Sequence, residues 1–186
     1  MSEPSVDLGP LMKESENKPE IKARIANTKD IASLLFLEKR SSSEDMWSPE
    51  EFDQVFQDKK IRIVIVETFT TNKDNVRTPS PAAYLAFEAR KKEVIIWSIT
   101  VVPYLRRRGI ARGLLGWLKE VSAAHLRSER LSCVLRESDL DAQLFFKGVD
   151  FRCNKTVSQA YECPPEDGLL FHHPLTPPTI PPKAKT

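Results

Sequence analysis

Hydrophobic and polar positions change period several times along the chain, and each change marks an element. The apolar positions of 21–25 predict a short first strand. Asn27 or Thr28 then suits a helix cap, followed by Ile31, Leu34 or Leu35, and Leu37 at helical spacing. Trp47-Ser48-Pro49-Glu50-Glu51 announces a second helix. Ser48 fits the cap, Pro49 the first helical position and Glu51 the capping box, while Phe52, Val55 and Phe56 supply one apolar face. The β-branched run 61–66 predicts another strand, and 68–81 is polar and turn-rich, so it is expected to be a loop. Two apolar runs, 82–87 and 94–102, flank the charged stretch 88–93 and predict a hairpin. From Ile110 the apolar positions 110, 114, 117, 118, 121 and 124 repeat at helical spacing. Strand 131–135, a short helix 139–147, and strands 151–159 and 168–172 complete the pattern.

Helices near the start, a central hairpin, then strand, helix and terminal strands predict an α/β (α+β) fold with one mixed sheet flanked by helices. The pattern divides the chain into a disordered polar segment 1–19, one folded domain 20–173 and a flexible tail 174–186. Five prolines in that tail, from Pro174 to Pro182, favour an extended polyproline-like form over helix or central strand.

Composition narrows the function. Lys and Arg total 28 against 26 Asp and Glu, a net charge of +2, so no general affinity for nucleic acid is expected. No apolar run approaches the roughly 18 residues of a membrane span, and the first residues lack a secretory pattern. Three unevenly placed cysteines and three histidines give poor support to a metal site. A reducing cytoplasm is the expected setting.

The basic character is local. After the 94–102 run and Pro103, the residues Arg106, Arg107, Arg108 and Gly109 form a basic turn, and helix-compatible sequence begins at Ile110, Ala111 and Arg112. A strand leading through a glycine turn into a helix N-terminus makes a phosphate site, because the first-turn amides lack intrahelical partners and point outward. Arginines add charge there. An exposed basic surface turn is the plainer reading of these residues alone.

Together with the later segment Arg136, Ser138, Asp139, Ala142, Phe145, Phe146 and Phe151, this turn resembles the signature of the GCN5-related N-acetyltransferase (GNAT) superfamily. The ribosomal-protein N-terminal alanine acetyltransferases look most similar. The resemblance implies an acyl-CoA N-acyltransferase fold in which acetyl-CoA lies in a V-shaped opening between two parallel strands. Its pantetheine is then expected along Ile99, Thr100 and Val101, and its pyrophosphate on the amides of Arg107 to Arg112. An acceptor amine would attack the thioester directly, without an acyl-enzyme, so alignment and oxyanion stabilisation are the main tasks.

Three positions depart from the family pattern. Asp139 stands where asparagine is usual, Phe146 where a tyrosine often lies beside the cofactor sulfur, and Asp150 where glycine is usual. Phe146 cannot protonate a thiolate. The alanine-acetyltransferase branch uses a tyrosine in a segment similar to Tyr161-Glu162, so the resemblance implies Tyr161 as the replacement acid; a half-buried strand aromatic is the competing reading. Glu93, Glu88 and Glu162 are candidate bases, though most glutamates are solvated surface groups. Cys133 and Trp117 read as core, and Trp47 as an anchor for the helix cap. The expected function is acetyl transfer from acetyl-CoA to a primary amine, such as a protein N-terminus, with the acceptor end shaped by 49–56 and 68–81. The alternative is an acyl-CoA-binding or interaction module that has lost catalysis. Oligomeric state stays open.

Overall fold

The computed structural model describes residues 20–41, 45–71 and 77–175. The expected disordered segment 1–19 and residues 176–186 of the expected flexible tail lie outside the described residues; the first two tail residues are a correction, since Pro174 ends the last strand and Leu175 is buried. Among the described residues seven strands form one sheet: β1 (Glu20–Ile25), β2 (Ile61–Thr71), β3 (Arg77–Ala89), β4 (Glu93–Val101), β5 (Arg130–Arg136), β6 (Arg152–Glu162) and β7 (Pro165–Pro174), in the order β1-β2-β3-β4-β5-β7-β6. Every neighbouring pair is antiparallel except β4 with β5. Among the described residues four α-helices cover it: α1 (Ile31–Ser41), α2 (Pro49–Gln57), α3 (Ile110–Ala124) and α4 (Leu140–Lys147).

The unbroken apolar run in β3 reflects burial on both faces, as expected for a strand with helices on each side. Tyr84 points toward α1 and α2, meeting the Phe52 ring at 6.2 Å. Phe87 points the other way, toward Trp117 of α3 at 6.0 Å. α2 begins as its sequence predicts. Ser48 accepts from the Glu51 amide while Glu51 accepts from the Ser48 amide, and Trp47 packs on Phe52 at 5.3 Å as a hydrophobic staple. Asn27 makes a second capping box with Asp30, although a 3-10 turn precedes α1 there.

The expected loop 68–81 is a correction. β2 continues through Thr71 and β3 starts at Arg77, with Thr68 opposite Ser80 and Phe69 opposite Pro79. β4 pairs with β3 only from Ala83 onward, so the first residues of β3 form an open edge on that side. Prolines are tolerated in strands at such edges, where the missing N–H breaks no ladder.

One buried polar cluster ties α1 to the sheet. Glu38, 3% exposed, accepts from the Trp47 amide at 2.8 Å and from the Tyr84 hydroxyl at 2.6 Å. Burial pushes its carboxyl above the usual carboxylate range. Truncation leaves both donors buried without this acceptor. Glu38→Ala is therefore expected to cost about 3 kcal/mol, seen as a lower urea midpoint, while Glu38→Gln loses less.

Candidate active site

The parallel pair β4–β5 is joined only at its beginning. Glu93, Val94 and Ile95 face Arg130, Leu131 and Ser132, and the register ends there. Beyond Ile95, β4 keeps its β3 partners, with Ile99, Thr100 and Val101 opposite Leu85, Tyr84 and Ala83, while the β5 side of its backbone has no strand partner among the described residues. The register between β3 and β4 shifts here: Ile96 faces Phe87 and Ser98 faces Ala86, leaving Trp97 as the extra residue of a bulge. A bulge bends its strand and increases its twist, which carries β4 away from β5. The result is a V whose open end exposes a strand edge.

The basic turn stands at that open end. β4 runs through the short 3-10 turn Pro103–Leu105 into Arg106, and Gly109 caps α3 with φ +87° and no side-chain hydrogen bond. The first amides of α3 thus have no side-chain cap among the described residues. Arg107, itself at φ 60°, and Arg108, Gly109 and Arg112 are exposed. Arg106 departs from expectation. Its Nε donates to the Val101 carbonyl and its Nη2 to the Ser41 carbonyl, both at 3.0 Å, so it ties β4 to the end of α1. A Cβ on Gly109 would meet nothing within 4 Å, so the backbone angle demands glycine while the space above it stays open. Open space over helix amides, exposed arginines and an extended unpaired strand edge suit a ligand with phosphates at one end and an amide-bearing arm at the other. Gly109→Ala forces a left-handed angle on a side chain, at about 1 kcal/mol. We expect the acetyl-CoA KM to rise about 5-fold to 10-fold, with kcat at saturation preserved.

A second group of side chains occupies the opposite mouth of the V. Trp97 meets Trp47 edge-on at 6.5 Å, so it faces the α1–α2 connection. Val134 shares a face of β5 with Arg136, which binds Asp45 in that same connection. Arg136, whose side chain is 7% exposed, is the hub. It donates to both Asp45 oxygens (2.8 and 2.6 Å), to Glu166 (3.0 Å) and to the carbonyls of Cys163 and Pro164 (2.9 and 3.2 Å). Its guanidinium also lies 4.2 Å from the Tyr161 ring centroid. One residue of β5 thereby joins the α1–α2 connection to the β6–β7 turn. Tyr161 reaches across β7 and donates to the Val134 carbonyl at 3.1 Å. Gly168 makes this crossing possible: a Cβ there would come within 2.5 Å of Val134 Cγ1 and 2.7 Å of Ala160 Cβ. Burial, then the Asp45 carboxylate, pushes the Tyr161 hydroxyl up to about 12.

Other sequence candidates fall elsewhere. Glu93 sits at the closed end of the V, held by Arg130 Nε at 2.9 Å and Ser132 Oγ at 2.6 Å. Arg130 first, with Ser132 assisting, holds its carboxyl below the usual range. Glu88 pairs with Arg90, which lowers it likewise. Neither stands at the open end. Glu162 is exposed at the end of β6. Asp139 caps α4, its carboxylate accepting from the Ala142 amide. Phe146, read as a cofactor contact, is 2% exposed and packs edge-on against Phe145 and Phe151 in the core. Asp150 does adopt the left-handed angle, φ 68°. Cys133 is buried, and burial raises its thiol well above the ordinary range. Sequence reasoning missed Glu38 and the bridging role of Arg136. A glutamate sharing the buried face of Leu34 and Leu37 was the available signal for the first.

The acetyltransferase (GNAT) family model matches residues 29–151, well over half of the chain, and the chain belongs to that family. It is therefore an acetyl-CoA-dependent N-acyltransferase, with acetyl-CoA as the acetyl donor. Among solved structures, the ribosomal-protein-S18-alanine N-acetyltransferase of Escherichia coli is similar, with a TM-score of 0.67 and 19% identity, covering 90% of this chain and 100% of that one. Arabidopsis thaliana NAA60 in complex with acetyl-CoA aligns with a TM-score of 0.69 and 17% identity, over 84% of this chain and 99% of that one. Ard1 of Thermoplasma volcanium gives 0.67 and 14%, over 84% and 98%. At these identities the likeness is one of fold. Comparison with the curated proteins gives no match. Among the described residues no helix is long and apolar enough to cross a membrane, and no group of metal-ligating side chains forms.

Proposed function

We propose that the protein acetylates the α-amine of a peptide by direct attack in the V between β4 and β5, with Tyr161 as the proton donor to the leaving thiol. The observation that supports this reading is the arrangement of the open β4 edge between the basic turn at one mouth and the Arg136-bridged loops at the other. Acetyl-CoA supplies an acetyl group already activated as a thioester. The amides of residues 107–112, with Arg107, Arg108 and Arg112, hold its phosphates, and the free edge of Ile99 and Thr100 holds its amide-bearing arm. Trp97, Met46 and Val134, all exposed, give the acceptor mouth apolar walls that exclude water from the attacking nitrogen. Tyr161 stays protonated at neutral pH, as a donor must; it gives its proton to the departing thiolate and takes back the proton that the attacking nitrogen sheds as the amide forms.

A neutral amine is required for attack, and this favours an N-terminal amine. Its pKa near 8 leaves a far larger neutral fraction at neutral pH than a lysine near 10.4. The test is thiol release from acetyl-CoA with a free-amino-terminal peptide against the same peptide N-blocked and carrying lysine. The α-amine should turn over at least about 10-fold faster. Preference for lysine or a small polyamine would contradict the peptide assignment. Binding of acetyl-CoA without turnover on any acceptor would favour a binding module.

A further inference from the structure

With Glu93 and Glu88 held at the closed end, the acceptor's proton needs another destination. A chain of hydroxyls leads from the V to Glu38. Ser98 belongs to β4 just past the bulge, is partly exposed, and its Oγ lies 2.8 Å from the Tyr84 hydroxyl. Tyr84, fully buried, lies 2.6 Å from Glu38 Oε1. Tyr84 has one hydroxyl proton. Because it is donated to the carboxylate, Ser98 must donate its own to Tyr84, which leaves the Ser98 lone pairs to accept from the cleft. The chain thus has a single direction, from the cleft to the buried acid.

We propose that Ser98, Tyr84 and Glu38 form a proton wire that deprotonates the acceptor ammonium before attack. This deepens the transferase reading above and rests on it. An N–H of the ammonium gives its proton to Ser98 Oγ, Ser98 passes its proton to Tyr84 Oη, and Tyr84 passes its own to Glu38 Oε1. The products are a neutral amine and a protonated Glu38, which returns its proton through Tyr84 and Ser98 to solvent water once the amide product has left. No oxidant or additional reactant is involved. Glu38 touches no reactant; Ser98 makes the contact.

The surroundings of Glu38 suit the task. Tyr84 from β3, the Trp47 amide and the Thr100 hydroxyl of β4 donate to it, and the Glu51 carboxylate of α2 opposes its charge. Burial outweighs the donors and raises the Glu38 carboxyl, which makes its carboxylate a stronger base. The group works as a base only when ionised. Activity supported by the wire is lost as pH falls through the raised Glu38 value.

The test is a pH profile of kcat/KM for the acceptor in wild type, Ser98→Ala and Tyr84→Phe, with Glu38→Gln where it folds. At pH 7 each variant should lose on the order of 10-fold to 100-fold. Each should follow the ionisation of the amine itself and converge on wild type near pH 10, where the amine is already neutral. A purely structural defect would not vanish with rising pH. Ser98→Ala perturbs packing least and keeps the test decisive if Glu38→Gln is unstable. Turnover with Ser98→Ala and Tyr84→Phe profiles superimposed on wild type overturns the wire and leaves the transferase reading standing. No turnover by wild type on any acceptor overturns both.

Discussion

Arg136→Met should cut kcat/KM for the acceptor about 100-fold while changing acetyl-CoA binding less than about twofold, because the guanidinium aligns the acceptor mouth and does not touch the phosphate end. Methionine keeps much of the arginine's length and removes all five hydrogen bonds. Asp45, Glu166 and the carbonyls of Cys163 and Pro164 lose a shared donor, and Tyr161 loses the cation over its ring. The α1–α2 connection and the β6–β7 turn then move independently, and misplacement of about 1 Å is enough for a loss of this size. Stability should fall by about 2 kcal/mol, since several of the lost bonds join charged partners. The split between acceptor and cofactor kinetics distinguishes alignment from general unfolding. An unchanged acceptor KM and kcat would make the bridge a structural brace alone.

Tyr161→Phe should lower kcat about 100-fold, the usual worth of a positioned acid, with acetyl-CoA affinity intact. The ring, its place over Gly168 and its stacking on Arg136 survive; only the bond to the Val134 carbonyl is lost. Burial holds the wild-type hydroxyl near 12, so it remains protonated through the accessible pH range. Its removal should therefore lower the whole pH plateau without deleting a limb. That signature is opposite to the one expected of Ser98→Ala, whose defect shrinks as pH rises. Wild-type kcat in Tyr161→Phe would make the tyrosine a tether for β5.

Features written in contiguous residues were legible before the fold was known. The Arg106 to Arg112 turn, the Ser48 capping box with its Trp47 staple, and the α3 stripe each sit within a few residues, and local stereochemistry decides them. The run 68–81 misled because its strand character comes from pairing. Pro79 and Pro81 look like loop residues until the end of β4 leaves their strand with an open edge. Phe146 was placed by its resemblance to a cofactor contact, yet Phe145 and Phe151 enclose it in the core. The acceptor side was the least legible. Tyr84 lies 46 positions from Glu38, and Arg136 lies 91 from Asp45. Periodicity carries no information over such separations, and only the sheet order brings these residues together.

We assign to the V between β4 and β5 the direct transfer of an acetyl group from acetyl-CoA to an amine. The decisive measurement is acceptor-dependent release of the CoA thiol by the wild-type protein, with acetylated acceptor quantified in the same reactions. Equal amounts of thiol and acetylated peptide, with no release when the acceptor is omitted, are the predicted result. Saturable acetyl-CoA binding with no thiol release across peptide and small-amine acceptors would contradict it.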